Sequence, residues 1–156
     1  IVDSTGALAR SGDERWRSIL AAHDAALRRS IARFSGTEAN TTGDGIVATF
    51  PLPSSALHYA AQALESAASL GLQLRIGVHT GELILRGDDL VGLAVHAAAR
   101  ICALAAPGRI MVSDTVRTLL AGFPFGFEPA GEHELRGVPD RWRLWYCVVG
   151  PDGGTP

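Results

Sequence analysis

The sequence predicts an α+β sandwich in which helices lie on a largely antiparallel sheet. The order in which helical and strand periodicities follow one another, and the Gly- and Pro-bearing turns between them, carry that prediction. From Asp13 to Phe34, Trp16, Ile19, Leu20, Ala26, Leu27, Ile31 and Phe34 recur every three to four residues with charges between them. This spacing predicts a long amphipathic helix. Ahead of it, the strand end Ile1-Val2 runs into a short helical turn at Ser4-Thr-Gly6. Gly36 stops the long helix, Thr37 to Thr41 is extended, and Gly43-Asp44-Gly45 turns into the β-rich run Ile46 to Phe50, which predicts a hairpin. Pro51 and Pro53 close that strand, and Ser54-Ser55 caps a helix reaching about Leu70. Leu72 to His79 and Glu82 to Leu85 form a strand pair about Thr80-Gly81. Asp88-Asp89 precedes an Ala-rich helix, Leu90 to Ala105, that Pro107-Gly108 ends. Arg109 to Val112 is a strand, Ser113-Asp114 caps a short helix to about Ala121, and three short strands follow, the last spanning Leu144 to Val149.

A length of 156 residues suits one domain with a single core. No apolar run approaches the roughly 18 residues that a membrane span requires, so no membrane contact is expected of this segment. The net charge of −2, with both signs interspersed, lacks the basic footprint of a nucleic-acid binder. Cys102 and Cys147 lie far apart in apolar surroundings, which suits buried thiols in a reducing cytosol better than a disulfide. The chain opens on Ile-Val with no Met and no signal-peptide pattern, and is read as a fragment of something longer. Residues 150–156 have the composition of a linker or disordered tail.

Three places carry chemistry. Asp44, between two glycines at a hairpin turn, projects its carboxylate beyond the sheet; Asp-Gly is equally the chemistry of a structural turn, and on this site alone both readings stand. Ile1-Val-Asp-Ser-Thr-Gly6 brings a strand into a helix N-terminus, whose free N–H groups favour phosphate, although many helices begin so. In DDLVGLAVHAAAR, His96 and Arg100 are four apart and share one helix face among small residues. A structural salt bridge for Arg100, a core hydrogen bond for His96 and an N-cap role for Asp89 account for each of these taken singly.

Taken together in order, IVDSTG, TTGDGIVATF, LRIGVHTGE, DDLVGLAVHAAAR and ELRGVPDRWRLWYCV resemble the catalytic domain of class III adenylate and guanylate cyclases of actinobacterial type, over nearly the whole chain. The resemblance implies a ferredoxin-like, palm-type sandwich over residues 1–149 that lacks its first N-terminal strand. It implies two divalent metal ions, Mg2+ or Mn2+, held by two aspartates, one directly before the position of Ile1 and the other at Asp44, with a backbone carbonyl from Ile1. The amides around Ser4, Thr5 and Gly6 would hold the triphosphate, with Arg75 and Arg136 approaching phosphate. Asp89 would read the base, and Arg100 would stabilise the transition state.

Two positions depart from the family pattern. Asn40 stands where a base-selecting lysine is usual, and His96 replaces the transition-state asparagine. Asn40 hydrogen-bonds a base but offers no cation, which opens base selectivity; His96 still donates to ribose or phosphate. The implied reaction is ATP to 3′,5′-cyclic AMP and pyrophosphate, in a cytoplasmic head-to-tail homodimer with shared sites, alongside a regulatory domain in the same full-length chain. A degenerate nucleotide-binding or regulatory module and a cyclase with relaxed ATP/GTP selectivity are the alternatives. A palm-fold diguanylate cyclase or polymerase relative fits the element order but not DDLVGLAVHAAAR.

Overall fold

The computed structural model describes residues 1–86 and 89–148. The expected tail at 150–156 lies outside the described residues. Helix α1, Ser4–Ser11, is followed after Gly12 by α2, Asp13–Arg33, then by the hairpin strands β1, Thr37–Thr42, and β2, Gly45–Thr49. Helix α3, Pro53–Ser69, leads to β3, Arg75–Val78, β4, Ile84–Arg86, and β5, Asp89–Val91. After them come α4, Leu93–Leu104, β6, Arg109–Ser113, α5, Asp114–Leu119, and the strands β7, Gly126–Glu134, and β8, Arg141–Val148.

The main sheet has the order β3-β6-β8-β7, with β3 and β6 parallel and the other neighbours antiparallel. β1-β2 and β4-β5 form two further antiparallel pairs. β6 is buried from Ile110 to Ser113, as a central strand covered on both faces should be. Its period-2 alternation sends Ile110 and Val112 to a cluster with Leu57 and Ala60 of α3, Val116 of α5 and Cys147 of β8. Met111 goes to the opposite face with Ala97 and Ile101 of α4, Leu135 and Leu144. A third cluster packs Trp16 and Leu27 of α2 on Ala63 and Ala67 of α3 and on Leu72 and Leu74 ahead of β3.

Several local expectations are corrected. Ile1-Val2 is not a strand end; the Val2 N–H instead donates to the Gln73 carbonyl at 2.8 Å, tying the chain start to the approach of β3. The helical turn at Ser4 is a helix of 8 residues. α3 is not capped by Ser54-Ser55: it starts with Pro53 in the first turn after Leu52, because proline pre-sets the helical φ and has no N–H to satisfy. The strand in 72–79 does not pair with residues 82–85. It pairs with β6, and β4 pairs with β5. The Ala-rich helix begins at Leu93 because Leu90 and Val91 are held in the β4-β5 ladder and Gly92, at φ 139°, cannot be helical. The three short strands at the end are two long ones. Residues Pro129 to Gly131, where a break was expected, are a bulge in β7 that Gly131 accommodates at φ 93°.

α4 lies against β3 where glycine removes the side chain. A Cβ on Gly77 would collide with the backbone nitrogen of Cys102 and the carbonyl of Ala98, and the Cys102 thiol donates to the Arg75 carbonyl at 3.2 Å. We expect Gly77→Ala to destabilise the fold by about 1–3 kcal/mol, the usual cost of overpacking. Urea denaturation checks it, and an unchanged midpoint would mean that α4 does not rest on β3 there.

Two histidines are withdrawn from solvent. His23 of α2 is buried, and half-buried His79, past the end of β3, makes a 2.8 Å hydrogen bond through Nδ1 to Oγ of buried Ser113, with the edge of Trp142 at 5.0 Å. Burial pushes both imidazoles below the ordinary histidine value of 6.5. The folded state therefore binds fewer protons than the unfolded chain just below that value, so their contribution is fully present above pH 6.5 and is lost as pH falls through the lower folded values. The urea midpoint should drop between pH 7.5 and pH 5, and it should drop less in His79→Gln.

Candidate active site

The Asp44 carboxylate is carried by a two-residue hairpin loop. Thr42 pairs with Gly45, and Gly43 takes φ 62°, a conformation open to glycine without strain. The turn leaves Asp44 exposed, and its Oδ2 lies 3.6 Å from the positively charged nitrogen of Ile1. Ile1 is held there by its neighbour Val2 through the bond to Gln73. Ser4 and Thr5, in the first turn of α1, line a cavity of about 270 Å3 together with Asp24, Gly43 and Asp44. A helix N-terminus thus opens beside a carboxylate that has a positive group next to it.

Asp3 was not singled out in the sequence, although Asp ahead of a helix start is an N-cap signal. Its backbone is left-handed, at φ 52°, and its Oδ1 accepts from the Gly6 N–H at 3.2 Å while Oδ2 pairs with Arg10 at 3.2 Å. The Gly6 amide, expected to hold phosphate, is therefore occupied by the chain's own carboxylate. The glycine itself is required, since a Cβ at position 6 would run into that carboxylate.

His23 was also not singled out, although it falls on the apolar stripe of α2 between Leu20 and Leu27. It is 1% exposed, and its Nδ1 is enclosed with no hydrogen-bond partner. Burial lowers its pKa, with the nearby positive Ile1 nitrogen acting in the same direction, while Asp24 and Asp44 act against the shift. Its ring lines a second cavity, of about 530 Å3, with Ile1, Asp44, the strand residues Ile46 to Thr49 of β2 and Arg75 to Val78 of β3. Among the described residues β2 pairs only with β1, and β3 only with β6, so both strand edges bordering this slot are unpaired.

A second group gathers on the α4 side. His96 and Arg100 are exposed on one face of α4, and the Arg100 Nε–H donates to the carbonyl of Arg136 at 3.3 Å, bringing two exposed arginines together. Among the described residues neither arginine has an ion-pair partner, so the salt bridge considered for Arg100 is absent there and the core hydrogen bond considered for His96 does not fit its exposure. Asp89 belongs to β5, in register with Arg86, and the cap of α4 is Gly92, which removes the N-cap account of Asp89. Asn40 is exposed on β1, opposite Val47 and just past a bulge, and β1 runs beside β5. Arg75 is exposed at the start of β3. Among the described residues, no hydrogen bond or ion pair joins the Ile1–Asp44 group to the Arg100–Arg136 group.

Whether these residues suit divalent metal can be judged from the donors present. Among the described residues no three His, Cys, Asp or Glu side chains come together. Asp44 and the Ile1 carbonyl are hard oxygen donors of the type Mg2+ and Mn2+ select, and a positive charge already sits beside Asp44. They fit part of such a site.

Among the described residues, no helix is long and apolar enough to cross a membrane. The chain is 28% identical over 140 residues to putative adenylate cyclase 3 of Rhizobium meliloti, which covers 84% of the chain and 23% of that protein. The chain spans between 17% and 38% of the length of the first curated relatives it matches. An adenylate/guanylate cyclase/hydrolase from Silicibacter pomeroyi superposes with a TM-score of 0.72 at 30% identity, covering 78% of each chain. A Trypanosoma brucei adenylate cyclase, solved in its monomeric state, superposes with a TM-score of 0.84 at 18% identity, covering 100% of this chain and 88% of that one, and so shares the α+β fold. The family model described as the adenylate and guanylate cyclase catalytic domain matches residues 1–149, and with the fold and these relatives it establishes that the chain belongs to that family.

Proposed function

We propose that this domain converts ATP to 3′,5′-cyclic AMP and pyrophosphate, at sites shared between two copies arranged head to tail. The observation that carries the proposal is the convergence of Asp44, Ile1 and the first turn of α1 around one cavity, because a metal carboxylate beside a helix N-terminus is what a bound triphosphate requires. In the reaction, the ribose 3′-oxygen attacks the α-phosphorus in line, its proton is lost, the new O3′–P bond forms, and the bond to the bridging oxygen breaks to release pyrophosphate.

Asp44 and the Ile1 carbonyl would hold the divalent ions, Mg2+ or Mn2+, with a further carboxylate from the residue preceding Ile1 in the full-length protein. When bound, such ions neutralise the triphosphate and acidify the attacking hydroxyl. The free N–H groups at Ser4 and Thr5 cradle phosphate, whereas Gly6 donates only after Asp3 gives way. Arg100 and Arg136 place two guanidinium groups where negative charge develops, and their fork of donors suits phosphate oxygens. His96, on the same face as Arg100, donates to the ribose or phosphate. Arg75 approaches the phosphates from the start of β3. Asp89 reads the base with Asn40 from the neighbouring strand, and Asp89 favours adenine.

The two groups of residues sit apart within one chain, and the α4 side presents an exposed apolar patch of Leu83, Ile84, Val91 and Leu93. Both features support a second copy completing each site. The full-length protein is then a cytoplasmic enzyme, or one on the cytoplasmic face of a membrane, with a regulatory domain that sets how the copies close. One observation favours a rival: Asn40 and His96 depart from the family pattern and Asp3 occupies the Gly6 amide, as suits a nucleotide-binding module without turnover or a cyclase with relaxed base selectivity.

Full-length protein incubated with ATP or GTP and Mn2+ or Mg2+ should form cyclic nucleotide, chiefly from ATP, and Asp44→Asn should abolish metal-dependent turnover without lowering the melting temperature. No cyclic product at protein concentrations that give dimers would reject the enzyme reading in favour of the module.

Shared sites have a further consequence. Asp44→Asn and Arg100→Ala, each inactive alone, should recover roughly a quarter of wild-type activity when mixed in equal amounts, since half the dimers then hold one intact site of two. A mixture as inactive as its components would place both residues in the same copy.

A further inference from the structure

The slot between β2 and β3 holds a polar atom that its surroundings do not satisfy. Its borders are unpaired strand edges and apolar side chains, yet His23 contributes a ring nitrogen, Nδ1, that is enclosed and without a partner. The residue is 1% exposed, so water in the bulk does not reach it. Buried polar groups of native proteins are almost always hydrogen-bonded, and an orphan is costly enough to point to a partner not yet in place. Ile1 and Asp44 line the same slot, and the charges of both are felt at the His23 ring. Whatever fills the slot therefore meets His23 and the Asp44 turn together.

We infer that His23 is a positioning residue for the metal site: its Nδ1 hydrogen-bonds the main chain of the segment that precedes Ile1 in the full-length protein and lies as a strand between β2 and β3. The inference rests on the proposed catalytic reading, which places that segment's carboxylate beside Asp44. An extended segment offers an N–H or C=O at each residue and pairs with both free edges, and the bond to His23 fixes how far it enters. The Ile1 carbonyl and the preceding carboxylate are thereby held at a set distance from Asp44. A rigid shell behind such ligands matters because small displacements of metal ligands weaken binding and turnover.

The roles of the two ring nitrogens allow a direct test. Asparagine places a polar atom where Nδ1 sits, glutamine places its amide where Nε2 sits, and leucine fills the volume with no polar atom. In the full-length protein, His23→Asn should retain amide-exchange protection of Ile46 to Thr49 and bind Mn2+ within about threefold of wild type by electron paramagnetic resonance. His23→Leu and His23→Gln should lose that protection and bind Mn2+ about tenfold more weakly, the effect of one hydrogen bond. A histidine that only fills space predicts the reverse order, with leucine equal to wild type or better; that result, or equal protection and Mn2+ affinity in all variants, overturns the inference. If His23→Leu loses protection of β2 while the wild type neither binds Mn2+ nor turns over nucleotide, the anchoring role stands and the catalytic reading fails. Variants too unstable to compare at 25 °C are assayed at lower temperature, with thermal melts separating loss of fold from loss of anchoring.

Discussion

The whole arrangement depends on β6 being covered on both faces. Ile110 and Val112 look toward α3 and α5, while Met111 looks toward α4, and each of these residues is at most 2% exposed. Burying such side chains contributes about 1.5–3 kcal/mol apiece, so neither helical layer can shift without exposing a strand that has no polar face to offer water. β3 is fixed to β6 in parallel, and Gly77 of β3 lets the backbone of α4 approach directly. The chain from β6 to β3 to α4 is thus rigid, and His96 and Arg100 ride on its outer surface. Residues that meet a substrate gain accuracy from a support of this kind.

The opposite end of the molecule is built differently. β1 and β2 form their own pair and join the main sheet through no hydrogen-bonded neighbour among the described residues. Asp44 at their turn is positioned by the hairpin loop and by Ile1, which the Val2 bond to Gln73 ties to β3. One end of the proposed site is fixed by the core, and the other is fixed by what enters the slot. That asymmetry explains why an unsatisfied nitrogen occurs at His23 and not on the α4 side: the α4 side is complete within its own packing.

Local pattern made some of this legible before the structure. The long helix followed from the spacing of Trp16, Leu20, Leu27 and Ile31, the hairpin from TTGDG, and the shared face of His96 and Arg100 from their separation of four residues. Partnerships between distant segments were not legible. Nothing local says that β3 pairs with β6 rather than with the strand next in sequence, because a parallel pair needs a crossover and leaves no turn signature. Pro129 to Gly131 looked like a strand break and is a bulge, since a proline on an edge strand interrupts the ladder without ending it. Asp3 and His23 were passed over for different reasons: the first is an ordinary cap signal, and the second is conspicuous only once its stripe is known to be buried.

Charge placement bears on the choice between catalysis and a silent binding module. Arg100 and Arg136 are held side by side by a main-chain hydrogen bond, and among the described residues no carboxylate neutralises them. Like charges brought together repel even at the surface, and folding gains nothing from the pair beyond the one hydrogen bond. Elsewhere the exposed arginines have partners: Arg28 meets Glu38 at 2.9 Å, Arg109 meets Glu128 at 2.6 Å, and Arg143 meets Glu132 at 3.4 Å. Leaving these two without one suits a surface that receives a polyanion, and a triphosphate supplies the charge that the fold withholds. A protein partner would need acidic side chains at one short spacing to do the same. Asp44 is the complementary case, a carboxylate with a positive group beside it. The two unmatched charges, one at each end of the chain, are the electrostatic reason to expect that two copies meet with the ends opposed.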